Sequence, residues 1–367
     1  MYKKALEMRL KLYNGCPHQD IAKSFTTIGN SFSRLNDENK ALEIHKKAYE
    51  MRCKLYDGPH KEKVESLDSI STCYEKTGDY KRALEFKIEA MEQKRNLFHY
   101  CHPNLAETLI NIAYSYENLG NYRKAYEKYR EALELRLKLY QGNNEYVAES
   151  LNKVGETLCK LGDDKKAFEY FKESLEMKKK LFHENHPEIV QALDNFALCN
   201  ERLGDHTKAL EYKMHSFAIR KIIYPNWDNE DIPIALNNIA ISYEKLGDDG
   251  KSLECKLQAL DLRVKLFEEK HPSIAESLNL IALSYERLEN LNKSLEYRKR
   301  CLKIREKIFD NNDHPEIAES LNDIGSTYSR IGDERTALDY KLQALAMRQR
   351  LFTVDHLTTT DVSITLL

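Results

Sequence analysis

HPEIAESLNDIGSTYSRIGDERTALDYKLQALAMRQRLF, residues 314–352, decides how this chain folds. Its first half places Ile317, Leu321, Ile324, Tyr328 and Ile331 at steps of four, three, four and three. That spacing predicts a helix with one buried face. Pro315 suits the first helical turn, where its missing N–H costs nothing. Gly332-Asp333 then breaks the pattern, because glycine after a helix end accepts the left-handed conformation. Ala337, Leu338, Leu342, Ala344, Leu345, Met347, Leu351 and Phe352 mark a second amphipathic helix.

The same hairpin recurs with a period of 42, occasionally 43, at 18–56, 60–98, 102–140, 144–182, 186–224, 229–267, 271–309 and 314–352. Partial units stand at 1–13 and 356–367, so one repeat array is expected to fill 1–367. Each full unit opens on a histidine (His18, His60, His102, His186, His271, His314) or on Asn144 or Asn229, and His356 opens the last partial unit. A small residue recurs in the first helix as Gly29, Ser71, Ala113, Gly155, Ala197, Ala240, Ala282 and Gly325. The turn carries glycine except at Asn36 and Glu289, and an aromatic closes each unit. One such hairpin cannot bury both of its apolar sides, so the units are expected to stack.

Lys and Arg number 57 against 59 Asp and Glu, a formal charge of −2, which gives no support to nucleic-acid or membrane-surface binding. With 41% hydrophobic residues the chain is expected to be folded. No apolar run approaches the ~18 residues of a membrane-spanning helix. The start, MYKKALEMRLKLY, matches KAYEMRCKLY at 47–56 and reads as half a repeat, not a targeting helix. The eight cysteines form no C-x-x-C pair and read as reduced thiols of a cytoplasmic protein.

No constellation meets the needs of acid–base or nucleophilic catalysis, so no enzyme, cofactor or metal is expected. His183-Glu184-Asn185-His186 lacks the i, i+4 histidine spacing of a zinc helix. His99, Cys101 and His102 cluster in the equivalent loop one unit earlier, with capping the reading preferred over metal binding. The loop Pro225-Asn226-Trp227-Asp228-Asn229-Glu230-Asp231 holds the only tryptophan. Trp227 either covers the joint between two units, the reading preferred, or offers an exposed contact point.

Small residue, Tyr three positions on, Gly at the turn and then paired alanines resemble the tetratricopeptide repeat. The long period and the pattern HP-x-I-A-x-S-L-N-x-I-G/A, seen also in Leu236-Asn237-Asn238-Ile239-Ala240, resemble the arrays of kinesin light chains and nephrocystin-like proteins. The resemblance implies an all-α, right-handed α-solenoid of about eight stacked hairpins whose first helices line a concave groove. Kinesin light chains carry a long heptad segment before their repeats. This sequence has none, and its ragged ends suggest a fragment or ends covered by partners.

The exposed stripe of the first helix, Glu319, Asn322, Ser326 and Arg330 in the last unit, predicts acidic and basic ladders along that groove. Asparagine amides can both donate to and accept from a peptide backbone, and Arg or Lys can pair with acidic side chains. The resemblance to kinesin light chains therefore assigns peptide binding to Asn152, Asn237, Asn238, Asn279, Asn322, Lys160, Arg202, Lys245 and Arg287. The alternative is that both ladders are solvated faces that neutralise each other. A chaperone-tail clamp is disfavoured, since Thr26 and Asp68 stand where lysine is wanted. The function expected is a non-enzymatic adaptor that binds a protein or peptide partner, by resemblance one of a motor or cytoskeletal complex. The alternative is a structural or regulatory module of a larger protein.

Overall fold

The computed structural model describes residues 2–98 and 102–356, with side chains to residue 351. Among these residues the chain is all-helical, and it divides into two compact units, Met1–His183 and Glu184–Leu367. The first unit contains α1 (Tyr2–Leu12), α2 (Gln19–Arg34), α3 (Glu38–Leu55), α4 (Lys61–Lys76), α5 (Tyr80–Leu97), α6 (Pro103–Asn118), α7 (Tyr122–Leu139), α8 (Glu145–Leu161) and α9 (Asp164–Leu181). The second contains α10 (Pro187–Arg202), α11 (His206–Ile223), α12 (Asp231–Lys245), α13 (Asp249–Leu266), α14 (Pro272–Arg287), α15 (Leu291–Ile308), α16 (Pro315–Ile331) and α17 (Glu334–His356). Even-numbered helices are the first helices of the repeats and odd-numbered ones the second. Within each unit every helix packs on the next in sequence, as an α-solenoid requires.

The histidine column caps helices. The Nδ1 atoms of His18, His60, His102, His186, His271 and His314 each accept the backbone N–H two residues on. Asn144 and Asn229 accept the same bond through Oδ1. The closing aromatic of the preceding repeat stacks on the capping ring, with centroids 3.5 Å apart for Tyr56–His60 and 3.4 Å for Phe309–His314. Loop, cap and hairpin joint are thus fixed together. His356 differs from its column: it ends α17 in place of opening a new first helix, and 357–367 lie outside the described residues.

Every hairpin turn passes through the left-handed region, from Gly78 at φ 80° to Gly332 at φ 97°, and also at Asn36 and Glu289, both at φ 58°. The small column is buried throughout. A Cβ on Gly155 would lie 2.7 Å from the Phe171 ring, and one on Gly29 equally close to His45. The second helix therefore presses directly on the backbone of the first.

Successive hairpins are also joined by polar bonds. Buried Arg136 donates to Ser150 Oγ at 2.9 Å, buried Lys94 to Thr108 at 2.8 Å, and buried Arg305 to Ser320 at 2.8 Å. Trp227, half-buried at φ 59°, packs on Ile232, Leu236 and Leu262, with Phe217 at its edge. It covers a joint between repeats. The seven described cysteines are free thiols, and burial with the Glu38 carboxylate pushes Cys73 up to about 12.

Candidate peptide-binding face

Each first helix turns one side to its neighbours and leaves the other open. The residues assigned from the sequence fall on three different parts of that surface. Asn238 is exposed, and its carbonyl accepts the Lys213 ammonium at 3.0 Å. Asn237, Asn279 and Asn322 are half-buried. Asn152 is only 4% exposed and its Oδ1 meets no donor, so it offers no amide to solvent. At the same column in other repeats, Lys94 and Arg220 of the second helices reach the carboxylates of Asp68 and Asp194. The asparagine column thus borders the packing interface more than the open surface.

The basic column is exposed but engaged. Lys160 bonds Glu117, Arg287 lies 2.7 Å from Glu244 and 3.7 Å from Asp249, and Arg330 lies 2.9 Å from Glu286. Lys245 acts on the Glu201 carboxyl through its charge. Arg202 is exposed at the end of α10. Lys160, Arg287 and Arg330 tie one hairpin to the one before it and keep their outer faces in solvent.

Behind the column lies a buried relay. Lys256 bonds Glu244 and donates to Ser284 Oγ at 2.7 Å; Lys213 bonds Glu201 at 2.7 Å and Ser242 at 2.9 Å; Arg298 lies 2.7 Å from Glu286 and 2.8 Å from Asp323. Burial works to raise the Glu201, Glu244 and Glu286 carboxyls, but the adjoining cations outweigh it and hold all three below the usual range. At Asp323 burial wins, and the carboxyl is pushed up despite Arg298. Ion pairs and hydroxyls hold this network from within, Arg298 Nη1 meeting Asp323 as an ion pair without a hydrogen bond, so its geometry is structural.

Two clefts open on the face. One of about 470 Å³ lies between α4 and α6, lined by Glu65, Asp68, Glu75, Glu107 and the buried Lys87 and Lys94. The other, about 280 Å³, lies between α10 and α12, with Leu198, Ile234 and Ala235 beside Asn195 and Asn238. The sequence reading passed over the apolar part of this surface. Leu198, Ile241 and Leu283 stand in the column of Ser326, which reads as polar when only the last unit is consulted. Comparing that column across all units would have revealed them. Among the described residues no group of three or more His, Cys, Asp or Glu is arranged to hold a metal, and no helix is long and apolar enough to cross a membrane.

The tetratricopeptide repeat model matches residues 104–180, 146–222, 231–307 and 273–350. The chain belongs to the tetratricopeptide repeat family. Such repeats are generally non-enzymatic scaffolds for protein interaction. No curated protein sequence matches the chain significantly. Among solved structures, the apo quorum sensor NprR from B. thuringiensis is 14% identical, with a TM-score of 0.59 over 95% of this chain and 96% of that one. A signal transduction ATPase with a tetratricopeptide repeat sensor, from Pyrococcus horikoshii, is 15% identical, with a TM-score of 0.60 over 96% of this chain and 53% of that one. The nearly identical TPR-like repeats of a Podosopora anserina protein assigned as a kinesin light chain are 16% identical, with a TM-score of 0.51 over 56% and 98%. At these identities the likeness is one of fold.

Proposed function

We propose that this tetratricopeptide repeat chain is an adaptor that holds an extended peptide segment of a partner protein against its first helices. The observation that carries the reading is the second unit, where the exposed amide of Asn238 stands on one face with the exposed heads of Lys245 and Arg287. An amide can meet both a backbone C=O and a backbone N–H, which an extended peptide leaves free. Asn237, Asn279 and Asn322 border the same face, and Arg202 extends its basic edge; Asn152 contributes from beneath, as a packing residue. The likeness in fold to kinesin light chain repeats supports a cargo or motor partner, and the free thiols fit the reducing cytoplasm.

A second reading is a sensor or regulatory module of a larger protein. It is favoured by the match of 96% of this chain to 53% of an ATPase with a repeat sensor. The test of the first reading is a binding screen of the full chain against a random peptide library, beside an Asn238→Ala/Lys245→Glu variant of unchanged thermal stability. Peptides held by the parent and lost by the variant support the groove. Equal binding by both would remove it.

A further inference from the structure

We propose that the second unit selects its peptide chiefly through apolar side chains seated on Leu198, Ile234, Ile241 and Leu283, with charge contributing little. The inference rests on the peptide-binding reading above and specifies the chemistry of the ligand. These four aliphatic side chains are 51%, 42%, 43% and 40% exposed, on α10, α12 and α14. Single exposed leucines are ordinary, but Leu198, Ile241 and Leu283 in one register of successive first helices, with Ile234 two turns before Ile241, are not. The run is bounded, since α16 carries Ser326 in that register, and Glu276 and Glu319 stand where α12 has Ile234.

Three further observations identify what covers it. The cleft between α10 and α12 places Leu198, Ile234 and Ala235 beside Asn238, and of the charged residues that share its lining Arg220 is paired with Asp194 and Lys213 with Glu201. An apolar side chain can therefore seat on the aliphatic part while an amide meets the backbone beside it. Arg287 is already paired with Glu244 and Arg330 with Glu286, and the charge of Lys245 acts on the Glu201 carboxyl. The same face carries exposed Glu276, which stands in the column of Ile234, and exposed Asp231, which lines the cleft, so it holds both signs and little net field. A strongly charged peptide would break existing ion pairs without a matching gain. The surface therefore fits an extended partner segment with two or more aliphatic or aromatic residues and little net charge. A helix fits less well, because its backbone groups are already spent.

A display library of random dodecapeptides, panned on the full chain at about 50 mM and about 500 mM salt, tests this. Ile241→Asp/Leu283→Asp and Asn238→Ala/Lys245→Glu are compared with the parent, each first required to keep its thermal transition. The inference predicts apolar, near-neutral peptides whose affinity changes less than about threefold between the two salts. The Ile241→Asp/Leu283→Asp variant should bind them roughly 10- to 100-fold more weakly. Highly charged peptides that are lost at high salt and indifferent to Ile241→Asp/Leu283→Asp would overturn the inference and leave the groove reading standing. Enrichment of no peptide would overturn both.

Discussion

Thr72, Tyr114 and Glu156 in the first unit fill the column that Leu198, Ile241 and Leu283 fill in the second. The buried columns on either side barely differ between the units: Ser71, Ala113 and Gly155 against Ala197, Ala240 and Ala282. Stacking constrains what lies between helices, because a larger side chain there forces them apart. It places no such demand on the open face. Two units with the same packing therefore present a mixed column of Thr72, Tyr114 and Glu156 in one case and an aliphatic one in the other, and the departures carry the information about partners.

The buried relay gives the sharpest way to break this equivalence. In the second unit Glu244 neutralises buried Lys256, as Glu75 neutralises buried Lys87 in the first, whereas in another repeat of the first unit the equivalent Glu117 accepts a neutral hydroxyl from buried Tyr129 at 3.1 Å. Glu244→Gln leaves a buried ammonium without its carboxylate and should cost about 3–5 kcal/mol. Glu117→Gln keeps an acceptor for Tyr129 and should cost about 1 kcal/mol. Trp227, the only tryptophan, lies in the second unit, so urea unfolding followed by its fluorescence reads the first substitution directly. Far-ultraviolet dichroism reads the other. Equal losses would mean that the relay is neutralised by solvent instead of by its partner.

The same carboxyls set an acid limit. Glu201, Glu244 and Glu286 are held lower in the folded chain than their ordinary value near 4.5. Their contribution is therefore fully present above about pH 4.5 and is lost as pH falls through the lower folded values. Asp323, raised by burial, has the opposite sign and offsets part of the loss. Urea midpoints by Trp227 fluorescence should fall below that pH, and less steeply in Glu244→Gln than in the parent.

Tight packing of the small column comes next in size. Gly155→Ala brings a Cβ to 2.7 Å from the Phe171 ring, which sits in a buried core and has little room to move. It should lose roughly 1–3 kcal/mol, although alanine in an open helix gains about 1 kcal/mol over glycine. A gain in dichroism midpoint would show that the hairpin opens freely. The smallest effect belongs to the turns. Glu289 holds φ 58° where Gly247 of the preceding repeat holds 81°. Glu289→Gly should raise stability by about 1 kcal/mol and Gly247→Ala lower it by about as much, both read from thermal midpoints.

Most of the fold was legible in the sequence because packing repeats. The His314 cap, the Gly332 turn and the Gly325 contact each follow from chemistry that one repeat displays and the others confirm. The site was legible only in part. Asn152 shares a column with Asn238's neighbour Asn237, yet one is buried and the other half-buried, and no single-helix pattern contains that difference. The basic column was found, but its pairing partners sit a whole repeat away, as Arg287 and Glu244 do. Ile241 and Leu283 follow directly after buried Ala240 and Ala282 and read as more core, so the aliphatic face emerged only with the helices in place.

The central claim is that equivalent columns in the two units do different work. The direct test is the affinity of one library-selected peptide for the parent, for Ile241→Asp/Leu283→Asp, and for the matching first-unit pair Thr72→Asp/Tyr114→Asp. The account predicts a loss of at least about tenfold in the second-unit variant and a change of less than about twofold in the first-unit one. Loss confined to the first-unit variant, or equal loss in both, would contradict it.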